Sequence, residues 1–489
     1  MSERTPLPER RQAGGPAVTQ AHVFSTIVRK EILDHARGRR FVLGAVMTLA
    51  LFVLASIVRV SDFRQAHQER NLFLQRWLPS VMEQLERDEI VQVENTRAVS
   101  PLSILTVGLE PVVPFRFTST KEGLRFGQSR SAQNPVDALF GYLDVTFIVS
   151  TLLSLLTIAF TFDSLCGERA DGTLALMLSY PVERRTIVAA KIAGNMIVTT
   201  LCFFPAFAAV AMIAAITGVG TMAPWHWLAY AAIALLYLLG FTAIGVAVSS
   251  RGGRSADSAL TSLFIWVVIV FVTPRAVALV VNYAHPPIRG VEIALREDEA
   301  VSHLRLDYTR RLDSAFRLYM GSDASSRQDD FNKARREAID ELRTRRREVL
   351  ARMWDEQMID EQAREEWLRA LSLLSPAAVF QQVAAELSWT GDEQRRHFLR
   401  EARTYDERIG RHLAESRDLF FSAAHGQDGA HALVVHDDVK PFLIPFQPTW
   451  ALSGVILRSA LMPASMLMVF AVFAIAAASW FIERLDVRA

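Results

Sequence analysis

His425, Asp428, His431, His436, Asp437 and Asp438 crowd one late stretch of the chain with side chains of metal-binding type. A zinc site needs such ligands at spacings that let three or four converge on one point. This spacing matches no helical ligand pair, and Gly426 and Gly429 interrupt it, so the stretch reads as a solvated loop. Phosphate chemistry fares no better. A P-loop needs a Gly-Lys pair, because backbone N–H groups and one lysine cradle the phosphates together. The five lysines, Lys30, Lys121, Lys191, Lys333 and Lys440, follow Arg29, Thr120, Ala190, Asn332 and Val439. No nucleophile–base pair can be argued from the sequence. The expectation is a chain without a catalytic residue, cofactor, metal or nucleotide-binding motif of its own.

Two other places hold charge that needs a reason. Arg275 follows Pro274 inside an apolar run. A cation at the centre of a membrane span costs roughly 2.5–3.5 kcal/mol on insertion scales. Either Arg275 faces a transport pathway or dimer interface, or the span ends near Thr273 and Arg275 sits at the membrane surface. Asp144 reads as an interfacial residue rather than a relay acid. The second place is "FDSLCGERADGTLALMLSYPVERRTIVAAK", residues 162–191, charged and Gly-containing between two apolar runs. Gly172 permits a tight turn. "TLALMLSYPVERR" reads as a short amphipathic helix ended near Pro181. Such a helix, pressed out of the membrane, either docks on a partner or merely tethers two spans.

The elements that position these residues follow from composition. The chain has 489 residues, 51% hydrophobic and 21% charged, with a mean hydropathy of +0.19. Apolar spans in lipid and charged domains in water reconcile those values. A net charge of +1 offers no basic face for nucleic acid. The two cysteines, Cys166 and Cys202, lie outside the long hydrophilic segments, so no disulfide framework is expected there.

Six stretches reach the length that crosses a bilayer as a helix: 41–60, 143–162, 192–216, 228–248, 259–282 and 456–482. The expected fold is an α-helical polytopic membrane protein. Residues 1–20 read as a disordered tail, and 21–40 as an amphipathic interfacial helix with Val23, Phe24, Ile27, Val28 and Ile32 on one face. Lys and Arg collect in the N-terminal tail, the 163–191 loop, the 249–258 loop and the 483–489 tail, whereas the 217–227 loop has neither. That bias places both termini in the cytoplasm. Two inserts then fall outside. The first, 61–142, opens with a helical pattern over Phe63–Leu85 and turns strand-like. The second, 283–455, is mainly charged helix.

"GERADGTLALMLSYPVERRTIVAAKIAGN" resembles the signature loop of ABC-2 type exporter permeases. Gly167, Glu168, Arg169, Gly172, Thr173, Ser179, Pro181, Arg185 and Lys191 match its pattern. Tyr180 fills a variable slot. "NPVDALFGYLDVTFIVSTLLSLLTIAFTFDSL", "FIWVVIVFVTPRAVALVVNYAHPP" and "LSPAAVFQQVAAELSWTG" look like the branch with large extracytoplasmic inserts, similar to permeases associated with gliding motility and nitrous-oxide-reductase maturation. The resemblance implies a half-transporter of a bacterial inner membrane. Two permease copies or paralogues would pair, and separate cytoplasmic ATPase subunits would dock below. It also implies that the N-terminal interfacial helix and the loop after span two form the coupling surface, a role carried to Glu168, Arg169, Gly172 and Thr173. Two other readings stand beside export: a force-transmitting membrane subunit acting on an extracytoplasmic protein partner, and a sensor with an extracytoplasmic domain. The sensor reading lacks a cytoplasmic output domain.

Overall fold

The computed structural model describes residues 20–86, 92–120, 123–127, 142–179, 182–220, 223–251, 254–286, 290–319, 328–423 and 444–484. The expected N-terminal disorder, the His/Asp stretch at 425–438, Tyr180 and Pro181 lie outside them.

The protein is an α-helical polytopic membrane protein. Among the described residues, six helices are long and apolar enough to cross a membrane. In chain order, α1 (Gln20–Ala36) precedes the first span, α2 (Arg39–Glu86). Strands β1 (Gln92–Thr96), β2 (Arg116–Thr120) and β3 (Gly123–Phe126) follow. Span two is α3 (Val145–Ala170), with a π-helical turn at Ile148–Leu153 and a break at 162–165. The short α4 (Thr173–Ser179) leads to spans three and four, α5 (Arg184–Thr217) and α6 (Pro224–Arg251). Span five is α7 (Ser255–Ala284). The second insert supplies α8 (Gly290–Tyr319), α9 (Gln328–Ser372), α10 (Pro376–Leu387) and α11 (Asp392–Ala423), before span six, α12 (Ser453–Glu483).

Helix α2 has no break where lipid should end. The residues between Val58 and Phe63 include neither Gly nor Pro, so nothing stops the helix at the membrane surface. Its 48 residues extend roughly 72 Å at 1.5 Å per residue. The span and the helical opening of the first insert are therefore one element.

The two inserts share one core. β1, β2 and β3 form an antiparallel sheet in that order, with Val93 opposite Ser119 and Phe117 opposite Phe126. The end of α2 closes one side, where Trp77 Nε1 donates to Glu94 O at 2.7 Å. Phe117 is fully buried and meets Phe398, Tyr405 and Phe446 edge-on. Edge-to-face packing suits the ring quadrupoles and adds about 0.5–1.5 kcal/mol per pair beyond burial.

One helix of the second insert packs against the spans. Helix α10 is apolar but only 12 residues long, the length of a buried or re-entrant segment rather than a span. It lies among the spans at the end of the bundle from which the inserts emerge. Phe380 stacks on Tyr237 of α6 with ring centres 4.7 Å apart. Gln381 Nε2 donates to Ser150 Oγ of α3 at 3.3 Å, and His226 Nδ1 bonds Leu387 O at 2.9 Å.

The helix of span five does not stop near Thr273. The helix passes through Pro274 to Ala284 because the hydrogen bond lost at the proline is replaced. Val268–Val272 is wound as a π-helix, a register of i to i+5 bonds. Pro274 has no N–H to give Ile269 O in that register. Ser375 Oγ, at the start of α10, donates to Ile269 O at 3.1 Å instead. Pro274 thereby ties the span to α10.

Candidate coupling site

At the bundle end opposite the inserts, α1, residues 162–179 and the ends of spans four and six form one layer. Its centre is Lys191, in the second turn of α5 and 0% exposed. Its Nζ donates to Glu31 Oε1 of α1 at 2.7 Å and to Ser164 O at 2.7 Å. Glu168 Oε1 lies 3.0 Å away on its other side and also accepts from Lys30 Nζ at 2.5 Å. Burial works against the Lys30 charge, but the hydrogen bond and charge of Glu168 outweigh it and hold that ammonium above its ordinary value. Asn195, one turn beyond Lys191, donates to Glu31 Oε2 at 3.4 Å and bonds His35 Nε2 through Oδ1 at 2.9 Å.

This contact needs close helices. A Cβ on Gly194 would stand 2.7 Å from Glu31 Cβ, so the glycine lets α1 lie directly on α5. The layer is sewn at other points too. Arg40 pairs with Asp163 at 3.0 Å, Ser249 Oγ accepts from Leu165 N at 2.9 Å, and Arg184 Nη1 donates to Ile482 O at 3.1 Å.

The four residues assigned by resemblance to coupling fall together in a short helix–turn–helix. Glu168 and Arg169 lie in its first helix, Cys166–Ala170. Gly172 makes the turn at φ +74°, a conformation glycine adopts without steric cost. Thr173 opens α4 and returns its Oγ1 to Glu168 O at 3.2 Å. Glu168 is turned into the chain, its side chain 12% exposed, and Arg169 reaches Ser250 O at 3.4 Å. The outward surface is α4, with Ala175 and Ser179 exposed and Leu176 at 64% exposure. Arg275 is exposed on α7 near the opposite end of the bundle, far from this group.

Sequence reasoning missed Lys30, Glu31, His35, Asn195 and Ser164. One signal was legible. Glu31 is one turn beyond Ile27 and three residues beyond Val28, on the apolar stripe where a carboxylate needs a buried partner. Among the described residues, no group of three or more His, Cys, Asp and Glu could hold a metal.

Six spans, a tightly joined layer of short helices at one end and a large folded domain at the other define a multi-pass membrane subunit of the permease kind. Residues 25–482 match the model of the ABC-2 family transporter proteins, and the chain belongs to that family. It is also 27% identical over 146 residues to the "Probable ABC transporter permease protein NosY" of Pseudomonas aeruginosa, covering 29% of this chain and 53% of the relative. The match thus spans about half the length of that curated relative.

Proposed function

We propose that this chain is the membrane subunit of an ABC exporter. It couples ATP hydrolysis by a separate cytoplasmic ATPase to movement of a substrate across a bacterial inner membrane. Both termini are cytoplasmic on this reading, and a second permease copy or paralogue completes the pathway. One observation carries the proposal: the exposed α4 is bound through Glu168, Lys191 and Glu31 to two helices at once. A push on α4 passes into α1 and α5 together, because a closely packed interior transmits displacement rather than absorbing it. Glu168 and Arg169 act as the inner anchor of this coupling loop, Gly172 and Thr173 as its turn. On this reading Arg275, exposed near the far end of span five, faces the pathway or the second copy.

Leu176→Glu tests the docking face without touching the buried charges. Co-purification with the cognate ATPase should fall at least tenfold while expression and thermal stability stay unchanged, since a desolvated anchor in an interface commonly contributes 2 kcal/mol or more. Full ATPase retention and full substrate-stimulated hydrolysis in that variant would make the segment a tether only.

A further inference from the structure

On the insert side, a cleft of about 560 Å³ lies between span five, α9, α10 and the loop before β2. Its walls are mostly apolar, from Leu109, Val112, Pro274, Val277, Ala278 and Leu368. The volume falls within the range of about 300–1,000 Å³ usual for ligand sites, which pair apolar walls with a few polar groups.

The depth of the cleft identifies its surroundings. Ser255 and Tyr283 stand roughly 42 Å apart along α7 at 1.5 Å per residue, close to a bilayer with its headgroups, about 40–45 Å. Tyr283 and Trp367 are both exposed, as amphipathic aromatics at the headgroup level are. Leu279 and Val280, on the same turn of α7, are exposed as well. The apolar walls at Pro274, Val277 and Ala278 therefore sit at acyl-chain depth, below that level.

The polar end of the cleft is charged unevenly. Arg369 pairs with Glu365 and Asp392, and Arg395 with Glu361, Glu365 and Asp392. Arg364 is different. Its described bond is from Nη2 to the neutral amide oxygen of Asn282 at 2.9 Å, and its buried Nε has no partner. Glu386, 4% exposed, also lines the cleft, with Oε2 unpartnered. Buried polar atoms of this kind mark a place where something else completes the bonding.

We infer that the cleft holds a phospholipid of the insert-side leaflet, one acyl chain between Val112, Val277, Ala278 and Leu368 and the phosphate on Arg364. The lipid extends the apolar surface of span five onto α9 and α10, and its phosphate supplies the anion that Arg364 lacks. This site is separate from the coupling layer, so its failure would leave the proposed coupling untouched.

The test is titration of the delipidated full-length chain in detergent with dioleoyl phosphatidylglycerol and, separately, dioleoylglycerol, read by native mass spectrometry. Ala278→Trp fills the cleft. Val112→Trp does so from an exposed rim position where folding is not at stake. Both should cut phosphatidylglycerol affinity at least tenfold. Arg364→Gln should cut phosphatidylglycerol affinity about tenfold, the worth of a charged hydrogen bond, and leave dioleoylglycerol unchanged. Wild-type affinity in Val112→Trp would overturn the proposal, and so would an equal loss for both lipids in Arg364→Gln. A shift from dimer to monomer in Val112→Trp at unchanged lipid content would assign the cleft to a second copy of the chain and overturn it as well.

Discussion

Lys191 has no water with which to share its charge, so its stability rests on the carboxylates of Glu31 and Glu168 and the carbonyl of Ser164. Removing one member of a buried ion pair leaves the rest uncompensated, at a cost of about 3–5 kcal/mol. Lys191→Met should therefore lower the unfolding midpoint of the purified chain far more than Lys30→Met, whose side chain is 42% exposed. Equal effects of the two substitutions in a thermal melt would remove Lys191 from the centre of the layer. Glu168 shows why charge reversal is a poor probe of docking. Glu168→Lys brings a third lysine against Lys30 and Lys191, so it disrupts the chain before any partner is met. Glu168→Gln removes the charge and keeps the shape, and it should loosen α4 from α1 with a smaller loss of stability. Protease sensitivity at 170–183 would report that loosening.

Among elements, span five and α10 form the pair with the clearest thermodynamic signature. Ser375→Ala leaves Ile269 O without a donor, at a cost of about 1–3 kcal/mol for an unsatisfied buried group. Restoring an N–H with Pro274→Ala should relieve part of that cost, so the two substitutions together should be less damaging than their sum. Additive losses in a double-mutant cycle would mean that the hydroxyl and the proline act independently. The turn from α10 into α11 makes a second prediction. Burial, with the charges of Asp392 and Glu393 adding to it, pushes the Glu386 carboxyl up to about 7. The folded chain then holds a proton that the unfolded chain releases between roughly pH 4.5 and 7. Stability from this group is present below the unfolded value and is lost as pH rises through 7, by about 3 kcal/mol at 1.4 kcal/mol per unit. Glu386→Gln should flatten that part of the pH–stability curve, and an unchanged slope would locate the titration elsewhere. The six spans were legible because lipid imposes a length on every apolar helix that crosses it. Helix α10 was not, because a helix of twelve residues satisfies no such length and Ser375 gives no sign of the carbonyl it serves. The glycine turn at Gly172 was legible from residue type alone. The inward orientation of Glu168 was not, since Lys30 lies 138 residues away in sequence and nothing local reports the pairing.

At the scale of the whole molecule, the even number of spans sets α1, α4 and the end of α12 on one face and both inserts on the other. In the proposed orientation, a membrane-impermeant thiol reagent applied to intact cells should label Arg310→Cys and spare Asp171→Cys, both exposed positions, on a background without Cys166 and Cys202. The reverse pattern would invert the molecule and remove the ATPase from the α4 face. The shared core of the two inserts also imposes an order in time. The sheet carrying Phe117 leaves the ribosome early, directly after the first span. Phe398, Tyr405 and Phe446, which cover it, are made only after span five has been threaded. For the whole synthesis of spans two to five, the growing chain presents a bare aromatic face on the insert side. A nascent protein in that state depends on whatever shields such a surface there, and a message truncated anywhere before Phe398 yields a product destined for proteolysis rather than a smaller transporter.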